Sequence, residues 1–159
     1  MTFGEAVLRL GAAMLAGGTI GLNRDLHGKP AGVRTHALVG LGSAVATLVA
    51  SSAFSEGPDP AAASRVIQGI ITGIGFLGAG VILHRDGSHS VRGLTTAASI
   101  WVVAALGVAC GTAEWPTAIV GTVLTLIVLV LGGPFERLVR RLRGERDEGS
   151  TLRSSPPGD

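Results

Sequence analysis

The chain has 159 residues, 47% of them hydrophobic and 15% charged, with a net charge of +2. A soluble domain carries about 25% charged residues, and the shortfall here is concentrated in a few uncharged stretches, which excludes an ordinary soluble domain. The basic balance, with a pI near 9.5, then concerns where arginines sit beside a membrane and excludes a nucleic-acid surface as its reason.

The predicted spans cover about residues 2–22, 36–54, 66–84, 94–113 and 115–133. Uncharged runs of roughly 18 residues or more match a hydrocarbon core of about 30 Å at about 1.5 Å per helical residue. The first span carries Glu5 and Arg9 near its start, where a long side chain can snorkel. It has neither a basic segment ahead of the apolar run nor a clear small-x-small cleavage site, so we read it as a retained span. In the fourth and fifth, Cys110 reads as a small buried residue and Pro116 suits a first helical turn. Residues 1–134 are thus expected to form an all-α bundle of five transmembrane helices. Beyond Gly132-Gly133-Pro134, residues Phe135, Leu138, Val139 and Leu142 repeat at helical spacing among arginines. This predicts a basic amphipathic helix over 135–143, lying against the membrane, and a polar, disordered tail over 144–159.

Of the 13 Lys and Arg residues, Arg9 and Arg65 fall on one side of the predicted spans and the remaining eleven on the other. Positive loops stay cytoplasmic, so the N-terminus is expected outside and the C-terminus inside. All four histidines, His27, His36, His84 and His89, fall on the inner side.

Within the third span, Gly73-Ile74-Gly75-Phe76-Leu77-Gly78 fits a dinucleotide fingerprint letter for letter. That motif signifies phosphate binding only between a strand and a helix; inside an uncharged span it does not. Gly69, Gly73 and Gly80 share one helical face, with Gly75 and Gly78 on the other. Small residues on both faces predict close helix packing and make this the central helix. The alternative is a broken helix whose backbone lines a site. Gly17/Gly21 and Gly107/Gly111 are further small-xxx-small pairs, suited to a tight bundle or a homodimer.

Two arginine motifs border the spans: Pro30-Ala31-Gly32-Val33-Arg34-Thr35-His36 and Val91-Arg92-Gly93-Leu94-Thr95-Thr96. With Arg24 and Asp25 they place Arg24, Asp25, Arg34, Thr35, His36, Arg92, Thr95 and Thr96 at the inner membrane edge. Thr35, Thr95 and Thr96 could cap the helix starts, and helix starts beside arginine suit anions. One reading is a pocket for phosphate, a nucleotide, a lipid headgroup or an acidic partner segment. The other is that Arg24, Asp25, Arg34 and Asp86 pair and staple the helices. No catalytic set, metal cluster or resident cofactor emerges: four scattered histidines without cysteines or acids do not make a zinc site. The spans hold no internal carboxylate, which weighs against a self-sufficient cation transporter.

The residues Gly21-Leu22-Asn23-Arg24 with Pro30 to Val39, Gly73 to Ile82, and Val91 to Trp101 with Ala105-Leu106-Gly107 resemble, in order, three signatures of the MgtC/SapB family of bacterial inner-membrane proteins. The resemblance covers about residues 17–133. It implies a multi-pass plasma-membrane protein linked to growth in low magnesium and to virulence, with Mg²⁺ the only ion it suggests. Some members act on the membrane ATP synthase, which makes a membrane protein the expected partner. Asn23 stands where the family commonly has an acid, which weakens cation binding by this loop. Longer members carry an ACT-like soluble domain where this sequence runs into its polar tail. The expected function is therefore a non-enzymatic regulator acting through its cytoplasmic polar face. The alternative is a transporter or channel for Mg²⁺ or another small ion.

Overall fold

A computed structural model describes residues 1–53, 60–82 and 93–143. Every regular element among these residues is a helix: α1 (Phe3–Leu26), α2 (Val33–Ala53), α3 (Pro60–Ile82), α4 (Leu94–Gly111) and α5 (Trp115–Leu142). All five are long and apolar enough to cross a membrane. The expected bundle of five spanning helices is what the chain forms.

Local chemistry sets the helix ends. Thr2 and Glu5 close a reciprocal capping box on α1, the Thr2 hydroxyl accepting from the Glu5 amide at 3.3 Å and the Glu5 carboxylate from the Thr2 amide at 3.0 Å. Gly28 (φ 59°) and Ala31 (φ 58°) turn the chain into α2 through the left-handed region. Gly93 (φ 94°) precedes α4, and a Cβ there would meet the Val81 carbonyl oxygen at 2.9 Å. Arg9 donates to the Gly111 carbonyl at 3.0 Å, placing a cation at the C-terminal end of α4.

Among the described residues α2 and α4 each pack on three helices, and α4, with more than half of its span buried, is the most enclosed and so the central one. This corrects the expectation for the third span: α3 packs on α4 and α2 alone and is largely exposed. The reason is steric. Where α1, α2 and α4 meet, a Cβ at Gly17 would collide with the His36 carbonyl, and one at Gly107 with the Gly40 carbonyl and, at 2.7 Å, the Ser43 Cβ. Likewise a Cβ at Gly40 would meet the Ala13 carbonyl oxygen at 2.6 Å, one at Gly21 the Gly32 carbonyl oxygen and Val33 Cα at 2.7 Å, and one at Gly111 the Thr47 Cβ at 2.8 Å. By contrast, nothing lies within 4 Å of a Cβ at Gly69, Gly73, Gly75 or Gly80, and Gly78 has only an ordinary contact with Ala97. Those α3 glycines, expected to pack helices, line no tight contact among the described residues. Moreover α3 runs unbroken from Pro60 to Ile82, so the broken-helix alternative is also corrected.

The first compact unit covers residues 1–126. Its core joins Ala13, Ala44, Ala109, Cys110 and Ala118, and a second cluster joins Ile74, Ile100 and Ala104. The second unit begins at Ile127 and holds the end of α5. There the helix continues through Gly132-Gly133-Pro134 to Leu142, so the basic segment extends α5 rather than starting a new helix. Phe135, Leu138 and Leu142 on it are exposed. The predicted tail, 144–159, and the loop ends 54–59 and 83–92 lie outside the described residues.

Candidate functional site at the polar end of the bundle

The end of α1, the turn after it and the starts of α2 and α4 gather the buried polar side chains Arg24, His36, Thr96 and Ser99. Thr96 and Ser99, three residues apart on α4, face the same way. The Arg24 guanidinium donates through Nη2 to the Thr96 hydroxyl at 3.0 Å. The Ser99 hydroxyl lies 2.8 Å from the Thr96 carbonyl oxygen and 3.0 Å from His36 Nε2. His36 Nδ1 lies 3.0 Å from the Gly32 carbonyl oxygen, so Nδ1 carries a proton. Ser99 has one proton for two acceptors, so its hydroxyl can serve either the ring or the Thr96 carbonyl. These bonds tie α1 and α2 to α4.

Arg24 is 5% exposed, yet its Nε has no hydrogen-bond partner, nor has Oδ1 of the adjacent Asn23. Among the described residues Arg24 has no ion pair. Removing a guanidinium from water with one neutral partner costs free energy.

Asp25 acts differently. Its exposed carboxylate accepts from the Val33 amide at 2.9 Å, capping α2, and it fills the space a Cβ on Gly32 would need. Helix capping is thus corrected in its residues. Asp25 caps α2, while Gly93, the N-cap of α4, makes no side-chain cap bond. Thr96 serves Arg24 instead. Arg34, Thr35 and Thr95 are exposed. Of the alternative in which Arg24, Asp25, Arg34 and Asp86 pair and staple the helices, no ion pair joins Arg24, Asp25 and Arg34, and Asp86 lies outside the described residues. Arg92, with Arg85, Asp86, His84 and His89, lies outside them.

Sequence reading missed Ser99 as the histidine's partner, Gly32 as the space for Asp25, and Gly40 as the backbone against which α1 and α4 pack. The Thr96/Ser99 spacing of three was the available signal for the first. No group of three or more His, Cys, Asp or Glu that could hold a metal occurs among the described residues.

A bundle of spanning helices with a polar cluster at one end is a multi-pass integral membrane protein. Comparison with known proteins gives the family. A model described as the MgtC family matches residues 10–138, and the chain belongs to that family. It is similar to Protein SrpB of Synechococcus elongatus, 46% identical over 140 residues, covering 83% of this chain and 75% of that protein. It is similar to the Putative magnesium transporter YhiD of Escherichia coli K12, 43% identical over 145 residues, covering 87% of this chain and 64% of that one. Protein MgtC of Salmonella typhimurium is 44% identical over 125 residues, covering 79% and 51% respectively. The chain thus spans about half the length of MgtC and under two thirds of YhiD. No solved structure matches it.

Proposed function

We propose that this protein is a non-enzymatic regulator in the plasma membrane that acts in magnesium homeostasis by engaging a membrane-protein partner through its polar end, with that end facing the cytoplasm. The observation that carries the reading is Arg24. An ionisable group buried within a spanning helix is expensive to keep, and this one holds α1 to α4 beside the turn that positions Arg34. The exposed Arg34 guanidinium, unpaired among the described residues, is then a rigidly mounted donor for an acidic group of the partner. Orientation rests on the positive loops, and the magnesium link rests on the family and on the names MgtC and Putative magnesium transporter YhiD.

The name of YhiD, Putative magnesium transporter, favours a second reading, transport of Mg²⁺. Against it, α3 is continuous, and no carboxylate lies between Glu5 and Asp25 or within α2, α3 and α4, where a dehydrated divalent cation would need oxygen ligands. Complementation separates the two. In cells lacking the gene, Arg34→Gln should insert at wild-type levels and fail to restore growth in low magnesium. Full rescue by Arg34→Gln, or Mg²⁺ flux through purified protein in liposomes, would overturn the regulatory reading.

A further inference from the structure

A groove of about 710 Å³ runs between α2 and α3. Its walls are apolar side chains, among them Leu38, Ile70, Ile74 and Leu77, and the bare backbone of Gly69 and Gly73; Arg34 and Thr35 stand at one end. We propose that this groove binds one anionic phospholipid, its phosphate on Arg34 and Thr35 and its hydrocarbon along α2 and α3.

Length decides between a lipid and a helix. On α2 the groove runs from Arg34 to Ser43, nine residues or about 14 Å at about 1.5 Å each. That is about half of a 30 Å hydrocarbon core, the depth of one leaflet, and it starts at the polar end where a headgroup sits. A spanning partner helix would need the full depth, but the walls stop at Ser43 and Gly69. Charge then selects the headgroup. The mouth holds a guanidinium without an ion-pair partner among the described residues, and guanidinium matches phosphate oxygens with two parallel hydrogen bonds. A zwitterionic headgroup would bring its own cation to the same place. Gly69 and Gly73, at which an added Cβ would meet nothing within 4 Å among the described residues, leave room for the hydrocarbon against the helix backbone.

The regulatory reading gives the same guanidinium to an acidic group of the partner, so lipid and partner would compete for Arg34; retention of lipid is measured on the purified chain with no partner present and tests the groove by itself. Native mass spectrometry of the detergent-solubilised protein would titrate phosphatidylglycerol against phosphatidylcholine of the same acyl chains. The wild type should hold phosphatidylglycerol about tenfold more tightly, the scale of one charge-assisted hydrogen-bonded contact. Arg34→Gln should bring that ratio close to one while still retaining lipid. Gly73→Leu, at a position with open space for a side chain, should fill the groove and lower retention of both lipids. Equal binding of the two lipids by the wild type, or unchanged retention in Gly73→Leu, would overturn the proposal. So would efficient cysteine cross-linking between two copies of Gly73→Cys in a Cys110→Ala background, which would give the groove to a second protomer.

Discussion

One substitution, glycine to alanine, should have opposite effects on the two glycine-bearing faces of this bundle. In a helix interior alanine is favoured over glycine by about 1 kcal/mol, so with open space the change stabilises. Gly69 and Gly73 have that space, and Gly69→Ala or Gly73→Ala should gain about 0.5–1 kcal/mol. At Gly107 the added methyl would meet the Ser43 Cβ at 2.7 Å and the Gly40 carbonyl closer still. A carbon normally keeps about 3.5–4 Å from its neighbours, so α4 would have to retreat by about 1 Å from a backbone that cannot rotate away. Overpacking of that kind costs about 1–3 kcal/mol. Because it also opens the Thr96–Arg24 and Ser99–His36 bonds on the same helix, the loss should lie at the upper end, net of the propensity gain. The assay is thermal unfolding of the detergent-solubilised protein, followed by loss of the monodisperse elution peak. Gly107→Ala should lower the midpoint by several degrees, and Gly73→Ala should hold or raise it. Equal losses at Gly107 and Gly73 would refute the reasoning, since they would mean that α3 packs as tightly as α4.

Arg24→Met replaces a buried, poorly partnered cation with an apolar chain of similar length. The desolvation it relieves offsets the Thr96 bond it removes, so the thermal midpoint should hold while growth rescue in low magnesium is lost; full rescue would show that the tie between α1 and α4 does not position Arg34. Ser99→Ala should cost about 1–3 kcal/mol by leaving His36 Nε2 unsatisfied, His36→Ala at least about as much through the cavity it leaves, and a double-mutant cycle should return a coupling of at least about 0.5 kcal/mol. Asp25→Ala should cost about 1 kcal/mol through the lost cap on Val33, whereas Asp25→Asn should keep most of it; both are read from the same unfolding curves. In a Cys110→Ala background, Lys29→Cys should react with a membrane-impermeant thiol reagent only after the membrane is opened, while Glu114→Cys should react in intact cells; the reverse pattern would invert the topology.

Much of the fold was legible in the sequence because the bilayer demands long uncharged runs, and four such runs mark α2 to α5: the starts of α4 and α5 coincide with theirs, whereas α2 and α3 begin earlier, at Val33 and Pro60. The small-xxx-small pairs at Gly17/Gly21 and Gly107/Gly111 likewise pointed to the seams where α1, α2 and α4 approach. What could not be read was which helix meets which. A helical wheel gives the phase of Gly69 and Gly73 but not whether a neighbour fills that face, so α3 looked central when α4 is. Gly40 carries no motif, and its role depends on Ala13 and Gly107 converging from two other helices. In the polar cluster the residue types were evident, yet the pairing was not. An arginine beside an aspartate suggests an ion pair, whereas the helix end turns Asp25 toward the Val33 amide and Arg24 inward to Thr96. The glycines and proline at 132–134 read as a stop, but α5 continues through them because apolar and helix-favouring residues lie on both sides.

The central claim, that the polar end engages a membrane protein through Arg34, is tested most directly by photo-cross-linking in native membranes. With a photoreactive residue in place of the neighbouring exposed Thr35, the account predicts one discrete membrane-protein adduct that disappears when Arg34→Gln is added. Absence of any protein adduct, or the same adduct with and without Arg34, would contradict it.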